Sequence, residues 1–148
     1  MAILHLTCGK IACGKTYFAK NLCKDNKTVH LSVDEMMLTL YNECLGESHH
    51  EIELKCLKIL LSIAVRIIKC GTDCVIDHGF WNSEDRLFAS KYCEDNGIQF
   101  KWHFFDIDDS IRKERLNNRN KELLHSKKRE YIINDEMLER FDSWFDAP

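Results

Sequence analysis

The chain has 148 residues and a formal net charge of −3 at pH 7, with 45% hydrophobic and 30% charged residues. This composition is typical of one globular domain and excludes a disordered chain, while the slight acidity argues against a free-standing nucleic-acid binder without excluding one. The eight cysteines form no C-x-x-C pair, and no apolar run approaches the roughly 20 residues of a membrane span. We therefore expect free thiols in a cytoplasmic protein that is not bound to a membrane.

Strands and helices alternate along the whole chain. Short apolar or β-branched runs predict strands over residues 3–8, 28–33, 74–77 and 99–107. Apolar residues at helical spacing predict helices over residues 15–24, 35–41, 51–69, 83–95, 109–119 and after 134. Because helices separate the strands, the strands should pair in parallel through right-handed crossovers. We therefore predict a three-layer α/β fold that binds its ligands at the carboxyl ends of the strands.

Polar residues mark where three of these helices should begin. Asn82 or Ser83 is suited to cap the helix after the third strand. Asp109 or Ser110 is suited to cap the helix after the fourth strand, and Asn134 the last helix.

The loop after the first strand carries the most specific motif of the chain. Residues 9–16 match the pattern G-x-x-x-x-G-K-[ST] at every position, between an apolar strand and an amphipathic helix. Such a loop wraps its backbone N–H groups around the phosphates of ATP at a helix N-terminus. Its predicted nucleotide-binding residues are Gly9, Lys10, Ile11, Ala12, Cys13, Gly14, Lys15 and Thr16.

Three side chains of this loop have distinct chemistry. Lys15 would place a full positive charge near the β- and γ-phosphates, which makes it a predicted catalytic residue. Thr16 would supply a hydroxyl ligand for Mg²⁺. Cys13 is either an inert small side chain or an oxidation-sensitive thiol near a helix N-terminus.

Two carboxylates directly follow predicted strands, at the edge of the sheet where the phosphate loop begins. Asp34 could take a proton from an attacking hydroxyl as a general base, or it could merely cap the next helix. Asp77 ends the third strand, where an acid can hold Mg²⁺ directly or through water, although a turn aspartate is the plainer alternative.

A group of arginines follows the fourth strand. Arg112, Arg115 and Arg119 are spaced three and four residues apart, so we expect them to share one helical face. Arginine suits the charge that develops on a phosphoryl group in flight. With the basic residues Lys121, His125, Lys127, Lys128 and Arg129, these arginines predict a lid over ATP at about residues 112–133, with Arg115 and Arg119 as its first catalytic and nucleotide-binding candidates. The alternative is a solvated helix face and a surface loop.

Five segments together resemble a known group of proteins: GKIACGKT, LSVDEM, CVIDHGFWNSEDR, FFDIDDSIRKERLNNRN and MLERFDSWFDAP. In this order they resemble small bacterial P-loop ATP-binding proteins that are often labelled AAA-family ATPases. The group is similar to phage-type polynucleotide 5′-kinase, to zeta-toxin-type kinases and to chloramphenicol phosphotransferase. The resemblance covers nearly the whole chain.

The resemblance implies a P-loop NTPase fold with the adenylate-kinase-like strand order 2-3-1-4. It implies an ATP-dependent kinase in which Asp34 is the base that activates the acceptor hydroxyl and Asp77 is the Walker-B-type acid. It further implies that Arg115 and Arg119 are the lid arginines that hold the nucleotide.

Three functions remain open at this stage. The first is transfer of the γ-phosphoryl group from Mg²⁺-ATP to a hydroxyl of a small molecule or nucleotide that enters between Asp34 and the helix over 51–69. The second is a regulatory NTPase or nucleotide-dependent switch that uses water as the acceptor. A GTPase is disfavoured because no N-K-x-D segment follows an apolar strand. The third, a non-catalytic nucleotide-binding module, is disfavoured by the complete loop motif.

Overall fold

The computed structural model of the protein describes residues 1–41, 46–124 and 131–148. The strands are β1 (Ile3–Gly9), β2 (Thr28–Ser32), β3 (Asp73–Asp77) and β4 (Gln99–Phe105). The helices are α1 (Lys15–Leu22), α2 (Val33–Tyr41), α3 (His49–Lys69), α4 (Ser83–Asp95), α5 (Asp109–Leu123) and α6 (Asp135–Ser143). A short 3₁₀ helix, Gly46–Ser48, precedes α3.

The strands form one parallel sheet in the order β2-β3-β1-β4. The predicted α/β class and the strand order 2-3-1-4 are therefore confirmed. β1 lies between β3 and β4, and consecutive strands along the chain are not neighbours in this part of the sheet. Such a switch in connection opens a crevice at the carboxyl ends of the strands, where ligands bind in sheets of this kind.

The core lies between the sheet and the helices, chiefly α3. Leu4, Leu6 and Ile76 on the central strands are fully buried. From α3, one face buries Leu57 and Leu61 against the sheet. A rigid central sheet fixes the ends of β1, β2 and β3, and the functional residues follow those ends.

The helix starts agree with the capping predictions in two cases and differ in two. Asn82 accepts a hydrogen bond from the Asp85 N–H at 2.8 Å, and Asn134 caps α6 in the same way. The cap of α5 is Asp108, which accepts from the Ser110 N–H at 3.0 Å, so the prediction of Asp109 or Ser110 was wrong. Local spacing could not separate three adjacent polar residues that can all cap.

The second difference concerns α2, which begins at Val33 and not at residue 35. The Glu35 N–H donates to the hydroxyl of Ser32 at 3.1 Å, so Ser32 takes the capping position. Asp34 therefore lies inside the first turn of α2. The alternative that Asp34 is only a helix cap is excluded, and its carboxylate is available for another task.

Among the residues that the structure describes, no helix combines the length and the apolar character that a membrane crossing needs. The seven described cysteines are free thiols, as predicted, and Cys44 lies outside the described residues.

Candidate active site

The phosphate loop joins the end of β1 to the start of α1 and depends on its two glycines. Gly14 has a φ of 101°, in the left-handed region that L side chains rarely adopt. A Cβ on Gly9 would lie 2.6 Å from Cys13 Sγ and 2.9 Å from the Phe105 carbonyl oxygen, which leaves no room for a side chain. The loop motif therefore encodes a backbone that closes tightly on itself.

Lys15 lies inside the concavity of this loop. Its Nζ donates to the carbonyl oxygens of Gly9 at 2.9 Å and Lys10 at 2.6 Å, and lies 3.3 Å from Cys13 Sγ. Cys13 is only 3% exposed. The ammonium group thus occupies the place that suits a phosphate anion, and the Cys13 thiol is packed into the wall of the loop.

The end of β3 lies beside the start of α1, where the two predicted Mg²⁺ ligands Thr16 and Asp77 come together. The Thr16 hydroxyl hydrogen bonds to the Asp77 carboxylate, and His30 Nε2 lies 3.1 Å from Asp77 Oδ2. Burial opposes ionisation of Asp77, but the hydrogen bonds from His30 and Thr16 outweigh it and the pKa of Asp77 is lowered. Asp77 is therefore an ionised carboxylate beside the phosphate loop.

Thr16 and Asp77 fit Mg²⁺ bound together with nucleotide phosphates. Mg²⁺ takes oxygen ligands, usually one or two from protein, and completes its shell with water and phosphate oxygens. Within the described ranges, no group of three or more His, Cys, Asp or Glu residues could hold a metal ion by itself. The pair thus suits an ion that arrives with its nucleotide.

Asp34 opens into the same cleft from the first turn of α2. The side chain keeps a solvent-accessible surface inside the cleft, and the walls of the cleft surround it with protein atoms. This burial and the negative charges of Glu53 and Asp77 raise the pKa of Asp34, against the opposing effect of His78 and Lys15. A carboxylate with a raised pKa is a better proton acceptor than an ordinary aspartate.

Glu53 lies beside Asp34, and the sequence analysis did not single it out. Its carboxylate lies 3.6 Å from His49 Nε2, and 3.9 Å from both His50 Nδ1 and His78 Nε2. Burial works against ionisation of Glu53, but the hydrogen bond with His49 and the nearby histidines lower its pKa overall. The spacing of residues 49, 50 and 53 on a helix was the available signal, because residues three and four apart share a face.

The three arginines of α5 have different positions. A Cβ on Gly14 would lie 3.6 Å from Arg115 Nη1, so the Arg115 guanidinium lies over the phosphate loop. Arg119 lines the same cleft. The structure therefore brings Arg115 to the loop that is predicted to hold the phosphates, and Arg119 to the cleft that this loop lines.

Arg112 is a structural residue, and the expectation that it shares the role of its neighbours was wrong. It is 2% exposed and donates from Nε to the Ile11 carbonyl at 2.9 Å. Nη2 donates to Asp142 Oδ1 at 2.6 Å, and Nη1 to Asp109 Oδ1 at 2.8 Å. Arg112 thus joins α6 to the phosphate loop, because its guanidinium binds both the Ile11 carbonyl and Asp142, which is 30 residues away in the sequence.

The basic stretch after α5 is described only in part. His125, Lys127, Lys128 and Arg129 lie outside the described residues. Residues on the two sides of that gap are in contact. The Asn120 side chain of α5 donates to the Ile133 carbonyl at 2.6 Å, and Ile133 packs with Leu116 and Leu138. The lid over residues 112–133 stays a prediction.

Aromatic side chains form another part of the cleft surface that the sequence analysis did not identify as functional. Trp81 and Phe141 have ring centroids 5.5 Å apart, as have Phe141 and Trp144. A Cβ on Gly79 would lie 2.5 Å from Trp81 Nε1, so Gly79 leaves space for this indole. The rings connect the loop after β3 to α6 across one end of the cleft.

Most of these groups line one cleft of about 1890 Å³, which carries both cations and carboxylates. We call the cationic wall its lysines and arginines from the phosphate loop, α1, α5 and α6, namely Lys15, Lys20, Arg115, Arg119 and Arg140. We call the acidic wall its carboxylates from α2 to α4, namely Asp34, Glu35, Glu47, Glu53, Asp77 and Asp85. The two sets meet at the phosphate loop, where Lys15 acts electrostatically on both Asp34 and Asp77.

A parallel 2-3-1-4 sheet with this glycine-rich loop between β1 and α1 defines the class of P-loop kinase-like domains. Residues 4–148 match the family model AAA_33, described as an AAA domain, and the chain belongs to this family. The resemblance expected from the sequence is thereby confirmed. A search of curated proteins finds no significant match.

Solved structures with the same fold include kinases. A candidate kinase from Chloroflexus aurantiacus has a TM-score of 0.75 and 17% identity, over 99% of this chain and 78% of its own. A chain of the Pnkp1/Rnl/Hen1 RNA repair complex has a TM-score of 0.74 and 14% identity, over 97% of this chain and 43% of its own. The APS kinase of Mycobacterium tuberculosis, solved with AMPPNP and APS, has a TM-score of 0.62 and 20% identity, over 86% of this chain and 73% of its own. At these identities the likeness shows a shared fold.

Proposed function

We propose that the protein is an ATP-dependent phosphotransferase that moves the γ-phosphoryl group of Mg²⁺-ATP to a hydroxyl group of a small acceptor. The observation that carries the proposal is the position of Asp34. Its carboxylate opens into the cleft that the phosphate loop and Lys15 also line. A donor site for phosphate and a candidate base thus face one shared space.

The cationic wall supplies what the donor needs. Backbone N–H groups of the loop and the Lys15 ammonium would bind the β- and γ-phosphates, and Arg115 would lie against the transferring group. Thr16 and Asp77 would hold Mg²⁺, which neutralises phosphate charge when it is bound. Arg119 lines the same cleft and would contact the nucleotide there.

Asp34 would act on the acceptor. As the acceptor oxygen forms its bond to the γ-phosphorus and the bond to ADP breaks, the hydroxyl proton passes to the Asp34 carboxylate. The raised pKa of Asp34 favours this step, because the group binds a proton more readily than an ordinary aspartate. General-base assistance of this kind contributes about 10²–10⁴-fold to a rate.

The test is transfer from γ-labelled ATP to a panel of hydroxyl acceptors. Wild type should label at least one acceptor, and Asp34→Asn should reduce kcat by about 10²-fold or more with little change in ATP affinity. Asp95→Asn is a matched control, because Asp95 is exposed at the end of α4, away from the cleft. Its kcat should equal that of wild type.

Two results would contradict the proposal. Equal kcat for wild type and Asp34→Asn would remove the general base. Release of ADP without any labelled acceptor would instead support the regulatory NTPase that uses water.

A further inference from the structure

The phosphate loop contains one strained backbone position that is not a glycine. Ala12 has a φ of 60°, in the left-handed region that an L side chain rarely adopts. A residue keeps such a conformation only where the surrounding structure holds it, and positions of this kind are concentrated at functional sites. Contacts from elsewhere in the fold must therefore hold Ala12 in place.

Arg112 holds the peptide bond before Ala12 from outside the loop. Its Nε donates to the Ile11 carbonyl oxygen at 2.9 Å, from a side chain that is 2% exposed. Asp142 of α6 accepts from both Nη atoms, at 3.0 Å and 2.6 Å, whereas Asp109 accepts a single bond and is 65% exposed. A bidentate arginine–carboxylate pair fixes the plane of the guanidinium group. Asp142 therefore fixes the direction from which Arg112 reaches the loop.

The same contact determines where the Ala12 N–H points. In a trans peptide the carbonyl group and the following N–H lie in one plane and point in opposite directions, and the described residues contain no cis peptide bond. Because the Ile11 carbonyl is directed at Arg112, the Ala12 N–H is directed away from the guanidinium. Ala12 lines the cleft, whereas neither Arg112 nor Asp142 is among the described residues that line it. The Ala12 N–H is one of the donors that the loop is predicted to offer to phosphate.

A rotation of this peptide plane would relieve the strain at Ala12. The rotation changes ψ of Ile11 and φ of Ala12, so it can return φ to the negative values that alanine prefers. It would also exchange the directions of the two groups. The Ala12 N–H would turn away from the predicted phosphate position, and the Ile11 carbonyl oxygen would replace it there. The hydrogen bond from Arg112 to that carbonyl opposes the rotation.

We propose that Arg112 is a positioning residue for the nucleotide: held by Asp142, it keeps the peptide between Ile11 and Ala12 in the orientation in which the Ala12 N–H binds phosphate. The inference rests on the proposed binding of ATP at this loop and adds a contribution from α6 to it. Asp142 then controls the affinity for phosphate through Arg112, without contact with the nucleotide.

The experiment measures the affinity for AMPPNP by calorimetric titration. Because this binding requires no transfer to an acceptor, a failure of the proposed phosphotransfer does not affect the test. Asp142→Asn should weaken AMPPNP binding by about 10-fold, since a hydrogen bond to a charged phosphate is lost when the peptide rotates. Glu139→Gln, at an exposed position three residues earlier on α6, is the matched control and should bind AMPPNP as wild type does.

Ala12→Gly separates positioning of the loop from stabilisation of the fold. Glycine adopts a positive φ without strain, so the peptide no longer gains from the rotation. In the Ala12→Gly background, Asp142→Asn should weaken AMPPNP binding by only about 2-fold. The decrease in melting temperature caused by Asp142→Asn should be the same in both backgrounds. Equal losses of affinity with and without Ala12→Gly would overturn the inference, and so would unchanged affinity in Asp142→Asn.

Arg112→Lys repeats the comparison if Asp142→Asn does not fold. One ammonium nitrogen cannot reach the Ile11 carbonyl and both Asp142 oxygens, which three guanidinium nitrogens do. If wild type does not bind AMPPNP, the proposed function fails, and the φ of Ala12 in a crystal structure of the Asp142→Asn or Arg112→Lys variant then decides. A negative φ would support the inference, and a φ that stays near 60° would refute it.

Discussion

The two walls of the cleft differ in how their charges are held. On the cationic wall, Lys15 bonds to backbone carbonyl oxygens and Arg115 lies over a glycine, so both cations face space that a ligand can fill. On the acidic wall, Glu53 and Asp77 are each held by histidines, whereas burial and neighbouring carboxylates raise the pKa of Asp34. The cationic wall can thus bind an anionic ligand, and the acidic wall contains Asp34, a carboxylate that accepts a proton readily.

The pKa of Asp34 stays raised although the cleft also carries cations. Lys15 favours the ionised form of Asp34, but burial and the negative charges of Glu53 and Asp77 outweigh it. Asp34 can therefore remain a proton acceptor in a cleft that also binds phosphate.

The largest expected effect comes from removing the central charge of the cationic wall. Lys15→Ala should lower kcat/KM for ATP by about 10³-fold, because positioned cations stabilise the charge of a transferring phosphoryl group. Steady-state kinetics and equilibrium binding of ATP measure the change. Lys91→Ala, at an exposed position on α4, is the control and should behave as wild type. Unchanged ATP binding by Lys15→Ala would refute the role of the loop.

The next comparison separates two arginines of α5. Arg115→Ala should lower kcat by about 10²-fold with unchanged stability, since Arg115 faces the phosphate loop. Arg112→Ala should lower the free energy of unfolding by about 3 kcal/mol, because Asp142 and the Ile11 carbonyl lose their buried partner. Urea unfolding and initial rates on both variants measure this. Similar stability losses in the two variants would contradict the distinction.

A smaller effect is expected at Gly14. Its φ of 101° disfavours any L side chain, so Gly14→Ala should reduce the free energy of unfolding by about 1–2 kcal/mol. The added Cβ would lie 3.6 Å from Arg115 Nη1, which is ordinary contact, so strain in the backbone is the cause. Gly97→Ala, at a φ of 68° away from the cleft, should cost similar stability without loss of ATP binding. Equal ATP affinity in both variants would show that the loop tolerates the change.

The smallest effects concern two neighbouring carboxylates of the acidic wall. The pKa of Asp34 is raised from its ordinary 3.8, so its ionisation disfavours the folded state, and Asp34→Asn should raise the melting temperature at pH 7. That gain should vanish as the pH falls below 3.8. The pKa of Glu53 is lowered from 4.5, so Glu53→Gln should lower the melting temperature at pH 7, and this loss should shrink as the pH falls through the folded pKa. Shifts of the same sign in both variants would contradict the opposed environments.

Local patterns were sufficient for the parts of the fold and site that local physics determines. The glycine spacing of residues 9–16 predicted the loop, and strand ends placed Asp34 and Asp77 at one edge of the sheet. Parallel pairing brings those strand ends together whatever the details of packing. Their positions follow from the alternation of strands and helices, while their catalytic roles stay proposals.

Residues whose roles depend on distant partners could not be identified. Arg112 looks like Arg115 in the sequence, and only Asp142, 30 residues away, distinguishes it. In the sequence, Glu53 looks like any other polar position on an amphipathic helix. Its contact with His78, from the loop after β3, exists only in the folded structure. The ring contact between Trp81 and Phe141 likewise could not be predicted without the tertiary structure, since the two residues are 60 positions apart in the sequence.

The central claim is that one cleft holds the phosphates of ATP at the phosphate loop and Lys15, and presents Asp34 to the acceptor. A crystal structure with AMPPNP and Mg²⁺ tests this most directly. The account predicts the β- and γ-phosphates within hydrogen-bonding distance of the backbone N–H groups of residues 12–16 and of Lys15, with Asp34 and Glu53 free of phosphate contacts. A nucleotide whose phosphates lie on the acidic wall, or a phosphate loop left empty at saturating AMPPNP, would contradict it.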